Sequence, residues 1–287
     1  MSKPQPHELM DLPQEMSHPS DKPVLTPHLM LDLESRNRED HSLNANKSTP
    51  NQNDTKALPL ICVYDKSVPN LIKHLHVKRE RSDLKGRLNT WNIELNGHEA
   101  LLSCLPWGAS AAVTRLEEIC TLGVSAIVNL GICAGMEPNT SPDDFILIDQ
   151  SIRDEGTSLH YQEKSMFSFC NFTLTSKLEN LLLEAKLPLK TGLAWSTDAP
   201  YRETPFKLKF WQKKKTLGID METSAIFAFG KHYKIPAASL LIPHDFYRNN
   251  DDGEIEWHRG SGHKLIKSKF KEVLNVLIEN LDKLGSD

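Results

Sequence analysis

The chain has 287 residues, a net charge of −4 and a pI of about 6.3. Its length suits one large α/β domain or two small ones, and its charge provides no global field to recruit nucleic acid or an anionic membrane. Five cysteines without CxxC spacing argue against a disulfide framework or a zinc site and indicate a reducing compartment. We see neither a bilayer-spanning apolar run nor a secretory signal, so we expect a cytoplasmic protein.

Residues 1–57 differ in composition from the rest of the chain. They contain seven of the 17 prolines, but no glycine and no aromatic residue. Such a segment cannot bury enough apolar surface to offset the entropy lost on ordering. We therefore predict a disordered N-terminal tail over 1–57 and a folded domain over 58–287.

From Leu58 onward, predicted strands alternate with predicted helices. Buried strands are predicted for LPLICVY (58–64), VSAIVNL (124–130), DFILID (144–149), LKTGLAWS (189–196) and IPAASLLI (235–242). Residues 88–105 predict a hairpin that turns at Asn96-Gly97. Helices are predicted over 110–123, 176–186, 202–215, 220–234 and 263–285, the third of them with a proline in its first turn. This alternation predicts a three-layer α/β domain with a largely parallel sheet.

Polar residues follow several of these strands, where α/β sheets bind their ligands. The candidate residues, in chain order, are Asp65, Gly131, His160, Asp198, Tyr201, Arg202, Met221, Glu222 and Asp245. Glu222 stands where a buried strand becomes a buried helix, so it either caps the helix or holds a ligand. Three of these residues also have ordinary structural interpretations. Asp198 could form an Asx turn, Asp245 could start a turn, and Tyr201 could pack in the core.

The same stretches carry a resemblance to a known family. The segments TWNIELNGHEALLSC, LEEICTLGVSAIVNLGICAGM, IRDEGTSLHY, TDAPYRET and GIDMETSAIFAFGKHYKIPAASLLIPHD resemble the nucleoside phosphorylase superfamily in order and spacing. That superfamily includes uridine phosphorylases, hexameric purine nucleoside phosphorylases and methylthioadenosine/adenosylhomocysteine nucleosidases. The similarity runs from about Pro59 to Leu284. It implies a mixed, partly barrel-like sheet flanked by helices, and a homo-oligomer, either a dimer or a hexamer.

The resemblance also implies a small-molecule nucleoside as ligand and assigns roles to three residues. Members of this family break the C1′–N glycosidic bond through an oxocarbenium-like sugar. Glu222 stands at the position of the glutamate that binds the ribose 2′- and 3′-hydroxyls, and Met221 at the apolar floor under the sugar. Asp245 stands at the position of the aspartate that protonates the leaving base in the purine-cleaving members, with His244 replacing the usual serine before it.

The phosphate half of the site departs from the family pattern. Tyr64 and Val68 stand near a glycine and an arginine of the family's first phosphate loop, and Asn129 and Ile132 replace an arginine and a hydroxyl residue. Trp107 replaces a glycine of a further turn. A phosphate dianion needs fixed cations and exposed backbone N–H groups, and these replacements remove both.

Three interpretations of the function therefore stay open. The protein is a phosphorylase with a rearranged anion site, a nucleosidase that attacks with water and uses Asp65 as its base, or a binding protein that has lost catalysis. Phosphate is the one co-substrate to consider, and no cofactor or metal is expected. We also expect no nucleic-acid or membrane partner, because the basic cluster KLKFWQKKK is typical of a solvated helix face.

Overall fold

The computed structural model describes residues 22–27, 57–64, 78–81, 89–260 and 262–284, with the backbone alone at 78–81. Most of the predicted N-terminal tail, together with Asp65 and Val68, lies outside the described residues. The strands are β1 (Leu58–Val63), β2 (Lys78–Arg81), β3 (Thr90–Leu95), β4 (His98–Cys104), β5 (Val124–Gly135), β6 (Phe145–Asp154), β7 (Phe167–Phe169), β8 (Leu189–Thr197), β9 (Gly218–Asp220), β10 (Ala237–Asn249) and β11 (Ile255–His258). The helices are α1 (Ala109–Cys120), α2 (Phe172–Glu184), α3 (Pro205–Lys213), α4 (Thr223–Tyr233), α5 (His263–Glu279) and α6 (Leu281–Leu284), with two 3-10 turns at Thr157–His160 and Pro200–Arg202.

The strands form one mixed sheet that closes on itself in part. Strand β5 pairs with β10, β10 with β6, β6 with β8, β8 with β9, and β9 with β5, so five strands make a ring. The remaining path runs from β5 through β1, β4 and β3 to β2. The partly barrel-like sheet implied by the resemblance is therefore confirmed. The prediction of a largely parallel sheet is wrong, because the β3–β4 hairpin and the β5–β9, β6–β10 and β10–β11 pairs are antiparallel.

Successive side chains along a strand point to opposite faces of the sheet, and both faces are apolar. In β1, Ile61 and Val63 face one core, whereas Leu60 and Cys62 face the other. Helices α2, α5 and α6 cover the first core, and α1 and α4 cover the second. The helices thus flank the sheet on both sides, as expected for a layered α/β domain.

Local signals in the sequence explain several element boundaries. Asn96 and Gly97 both have positive φ values, 54° and 83°, which the tight turn between β3 and β4 requires. Asn171 caps α2 by accepting a hydrogen bond from the backbone N–H of Leu174 at 2.9 Å. Helix α2 therefore begins at Phe172, four residues before the predicted start at Ser176. Thr204 caps α3, which begins at Pro205, three residues after the predicted start at Arg202. The proline lies in the first turn, as predicted.

The strand predicted over 235–242 is longer than its sequence pattern indicated. Strand β10 continues to Asn249, because its last part pairs with β11 in an antiparallel hairpin that we did not predict. The described helices include none that is long and apolar enough to cross a membrane.

Candidate functional site

A pocket of about 550 Å³ is lined by residues of β5, β9, β10 and β11 and by the loops that follow β1, β4, β8 and β9. This volume is typical of a small-molecule site. Its carboxylates are Glu203, Asp220, Glu222 and Asp245. Its aromatic side chains are Tyr64, Trp107, Tyr201, Tyr247 and Trp257. Of the residues predicted from sequence, the pocket brings together Tyr201, Met221, Glu222 and Asp245.

Glu222 precedes α4 but does not cap it with its side chain. One carboxylate oxygen accepts a hydrogen bond from the backbone N–H of Gly108 at 2.6 Å, and the other accepts one from Met221 N–H at 3.3 Å. Gly108 adopts φ 91°, a conformation that favours glycine, directly before α1. The helix-cap alternative therefore does not hold, and the Glu222 carboxylate is fixed in the pocket wall. Ligand binding by Glu222 stays a prediction.

Asp220 caps α4 in place of Glu222. Its Oδ2 accepts hydrogen bonds from the backbone N–H of Thr223 at 2.8 Å and from the Thr223 hydroxyl at 2.5 Å. Its Oδ1 accepts a hydrogen bond from the Ser196 hydroxyl at 2.5 Å. Asp220 thus joins β8, β9 and the start of α4, and it brings a second carboxylate next to Glu222.

The carboxylates of the pocket disfavour one another's charge. Burial and the Asp220 carboxylate raise the pKa of Glu222 to about 8, although the hydrogen bonds from Gly108 and Met221 act in the opposite direction. Burial also raises the pKa of Asp220, despite its three hydrogen bonds. Burial raises the pKa of Glu203 as well, although the Tyr247 hydroxyl donates to it at 2.6 Å. The pocket is therefore a poor environment for further negative charge.

Asp245 lies within β10, not after the strand as predicted. It sits where the pairing register with β5 shifts between Pro243 and Asp245. Its Oδ2 accepts a hydrogen bond from the indole N–H of Trp257 at 2.5 Å, and its Oδ1 lies 3.4 Å from Nδ1 of His244. Both carboxylate oxygens thus already have neighbours within the protein.

The described residues that line the pocket include no lysine and no arginine. Lys207, shortly after Glu203, instead pairs with Asp154 at 2.6 Å. Arg153 on β6 and Arg248 on β10 donate to main-chain carbonyls of residues 162–165 and 137–140. The replacements seen in the sequence have structural roles as well. Asn129 is fully buried and donates to Ser239 at 2.9 Å, and Trp107 donates to the Tyr64 carbonyl at 3.5 Å.

Four predicted residues do not line the pocket. Gly131 is buried in β5, where an added Cβ would come within 2.8 Å of Leu241. His160 and Arg202 are exposed ends of the two 3-10 turns. Asp198 is exposed and accepts a hydrogen bond from the backbone N–H of Gly156 at 2.8 Å. Substrate contacts by these four residues stay predictions, and Asp65 lies outside the described residues.

Among the carboxylate and aromatic residues that line the pocket, sequence reasoning missed four as site residues: Glu203, Asp220, Tyr247 and Trp257. Asp220 could have been found, because it ends a short strand directly before a helix. Trp257 could not, because it reaches the pocket only through the register that places it opposite Tyr247 in the β10–β11 hairpin. Asp252-Gly253 is a turn signal in the loop before β11, and Gly253 has φ 75°, but this signal does not fix the register.

Comparison with known proteins agrees with this architecture. A family model described as the phosphorylase superfamily matches residues 60–283. The DeoD-type purine nucleoside phosphorylase of Brevibacillus brevis is 23% identical over 166 residues, which cover 58% of this chain and 71% of that protein. The guanosine phosphorylase of Halorubrum lacusprofundi is 21% identical over 149 residues, 52% of this chain and 62% of that protein.

A solved structure, uridine phosphorylase from Vibrio fischeri, superposes with a TM-score of 0.65 at 20% identity, covering 84% of this chain and 99% of its own. At this identity the likeness shows the fold alone. The family match is broader evidence, because it covers β1 through α5 and most of α6 with their order preserved. The chain therefore belongs to the phosphorylase superfamily.

Proposed function

We propose that the protein binds a nucleoside in this pocket and cleaves its N-glycosidic bond with water rather than with phosphate. One observation carries the choice of nucleophile: the described lining has four carboxylates and no lysine or arginine. A phosphate dianion in such a site would lie among carboxylates, with no cation from the described lining residues to offset its charge. Membership of a family whose relatives here are nucleoside phosphorylases supports a nucleoside as the ligand.

The geometry supports a role for Glu222 and Met221 at the ribose. Glu222 is held by two main-chain N–H groups, so its carboxylate is preorganised to accept hydrogen bonds from the 2′- and 3′-hydroxyls. The ionised form of this carboxylate stabilises the positive charge that develops on the sugar as the C1′–N bond breaks. The aromatic side chains of the pocket offer flat surfaces on which a base can stack.

The reaction balances without a cofactor. The electron pair of the C1′–N bond goes to the base nitrogen, and water oxygen forms a new bond to C1′. The attacking water loses a proton, and an ordinary base takes up a proton as it leaves, for which Asp245 is the candidate donor. The predicted base for the water, Asp65, lies outside the described residues.

A nucleoside panel in phosphate-free buffer, with and without added phosphate, tests the proposal. We expect free base and free ribose at a rate that added phosphate does not change. Ribose 1-phosphate formed only when phosphate is present would instead identify a phosphorylase and contradict the choice of water.

Binding without cleavage is the second candidate function. It is favoured by Asp245, whose two carboxylate oxygens lie against Trp257 and His244. A thermal shift on adding a nucleoside, with no release of base from any nucleoside, would establish this alternative.

Two further expectations remain proposals. The family resemblance predicts a homo-oligomer, and Met166, Phe169 and Phe172 are exposed large apolar side chains within one short segment. Light scattering after gel filtration would measure the oligomeric state directly. The proposed cytoplasmic location rests on composition, and none of the five cysteines forms a disulfide.

A further inference from the structure

Resting on the proposed function, we infer that the pocket selects a nucleoside whose base carries a positive charge, of the N-ribosylpyridinium or N-alkylpurine type. The observation behind this inference is the pairing of four carboxylates with five aromatic side chains in one cavity. Each set alone has ordinary explanations, but together they match the two groups that bind organic cations.

The described residues that line the pocket supply no cation to these carboxylates. Lys207, Arg153 and Arg248 are each engaged elsewhere, with Asp154 or with main-chain carbonyls. A metal ion is a poor candidate, because no group of three His, Cys, Asp or Glu side chains in the described residues could hold one. A ligand with a delocalised positive charge fits carboxylates that are spread around a cavity of about 550 Å³.

The aromatic side chains are available to such a ligand. Among the described residues, none of the five forms a ring pair or a cation–π contact with another side chain. Tyr201, Trp107 and Trp257 are 99%, 62% and 56% exposed, although large aromatic surfaces are usually buried. A cation over the face of a Trp or Tyr ring is attracted by the ring quadrupole.

Tyr64 lines the same pocket. Its hydroxyl is buried and has no hydrogen-bond partner among the described residues. Buried hydroxyls are nearly always paired, so this one needs a partner from outside those residues.

A cationic base also fits the chemistry at Asp245. When the C1′–N bond of a quaternary base breaks, the electron pair neutralises the nitrogen and the base leaves as an uncharged molecule. No proton donor to the base is then needed, so an Asp245 held by Trp257 and His244 is no obstacle. Water bonds to C1′ and releases one proton, and the products are ribose, the neutral base and that proton.

The direct test uses a matched pair of ligands on the full-length protein. N-ribosylnicotinamide is cationic, and its 1,4-dihydro form has nearly the same shape without the charge. Calorimetry in phosphate-free buffer should show binding of the cationic form that is tighter by on the order of tenfold or more. Equal or tighter binding of the uncharged form would overturn the inference.

Failure of this inference can be told apart from failure of the proposed function. If uncharged nucleosides are bound and cleaved as well as the cationic ones, the proposed function stands and the charge selectivity is wrong. If no nucleoside of either charge binds, the proposed function is wrong as well.

Two variants locate the selectivity in the pocket. Tyr201→Ala and Glu203→Gln should each weaken binding of the cationic ligand severalfold, and binding of the uncharged ligand should change less. Phe206→Ala is the matched control for Tyr201, because Phe206 is 81% exposed and does not line the pocket. If both variants lose the same binding affinity for the cationic ligand as for the uncharged ligand, the inference is overturned.

Discussion

Glu222 shows how one residue acquires a role from its neighbours. From the sequence alone, Glu222 is either a helix cap or a ligand contact. Asp220 takes the cap, and the Gly108 N–H fixes the Glu222 carboxylate at the pocket wall. A carboxylate that is buried but still lines a cavity is typical of a functional group rather than of a structural one.

Replacing Glu222 by alanine should lower the turnover of a cleaved nucleoside by about 100-fold or more, on the order of 3 kcal/mol of transition-state stabilisation. The reason is the loss of the acceptor for the ribose hydroxyls and of the negative charge beside the sugar. Steady-state kinetics on the nucleoside with the fastest base release measures it. Glu222→Gln is the control for the position of the loop, because its side-chain oxygen can still accept the hydrogen bond from the Gly108 N–H. Near-normal turnover in a folded Glu222→Ala protein would refute the role of Glu222 at the ribose.

At Asp245 the expected effect depends on the leaving group. Asp245→Asn should abolish release of poor leaving groups such as adenine or hypoxanthine, because these need a proton to depart. Release of an activated nitrophenyl-type group should be spared. The ratio of the two rates in mutant and wild-type protein is the measurement, and an equal loss on both substrates would show that Asp245 is not the acid.

The start of α4 illustrates the contribution of an element. Asp220 accepts three hydrogen bonds there, from Thr223 N–H, the Thr223 hydroxyl and the Ser196 hydroxyl. Thr223 and Ser196 are buried, so water cannot replace the carboxylate as the hydrogen-bond acceptor. The cap thus holds β8, β9 and α4 in the arrangement that presents Glu222.

Asp220→Ala should therefore lower the free energy of unfolding by about 3 kcal/mol, since it removes three buried hydrogen bonds and leaves the Thr223 N–H without its acceptor. Urea unfolding followed by circular dichroism measures the change. Thr204→Ala, which removes the cap of α3 at a less buried site, is the comparison and should cost about 1 kcal/mol. Equal effects of the two substitutions would contradict the buried network at Asp220.

Elements with a local signal were predicted, and those defined by pairing were not. The β3–β4 hairpin was found from Asn96-Gly97, and α3 from Pro205 in its first turn, because these residues fix the backbone dihedrals themselves. The β10–β11 hairpin was missed, and with it the Trp257–Asp245 hydrogen bond, although Asp252-Gly253 in the loop 250–254 is a turn signal. A five-residue loop does not fix the strand register as a two-residue turn does. The antiparallel β5–β9 pair is likewise set by ring closure rather than by local sequence.

At the scale of the whole molecule, the ring of five strands determines where the pocket forms. Residues far apart in sequence, such as Trp107 and Trp257, reach one cavity because the sheet curls on itself. Alternation of strands and helices predicts the layers but not this closure. The sequence thus predicted two of the four pocket carboxylates, Glu222 and Asp245, but not the way they are held.

We expect residues 1–57 to be dispensable for folding of the domain. Strand β1 begins at Leu58, whose N–H donates to the Gly123 carbonyl at 3.1 Å, and the first core residues follow at once. A truncated chain that begins near Lys56 should keep its melting temperature within a few degrees of the full-length value, roughly the shift expected when less than 1 kcal/mol is lost. A large drop in a calorimetric scan would show that the tail packs on the domain.

Stability should fall as pH rises through the neutral range. The pKa of Glu222 is about 8 in the folded protein, against a reference value of 4.5 for an unfolded chain. Between these values the folded state binds a proton that the unfolded state has lost, so the stability is fully present below pH 4.5 and decreases as the pH approaches 8. The slope from one group is at most about 1.4 kcal/mol per pH unit.

The raised pKa values of Asp220 and Glu203 act in the same direction, so the wild-type slope combines several carboxylates. Glu222→Gln removes one of them and also relieves the repulsion on Asp220, while all other titrating groups remain. Urea unfolding of both proteins at several pH values between about 5 and 8 should therefore give a shallower decrease for the variant. If the two proteins lose stability in parallel over this range, Glu222 does not take up a proton on folding, and its carboxylate enters the pocket already ionised.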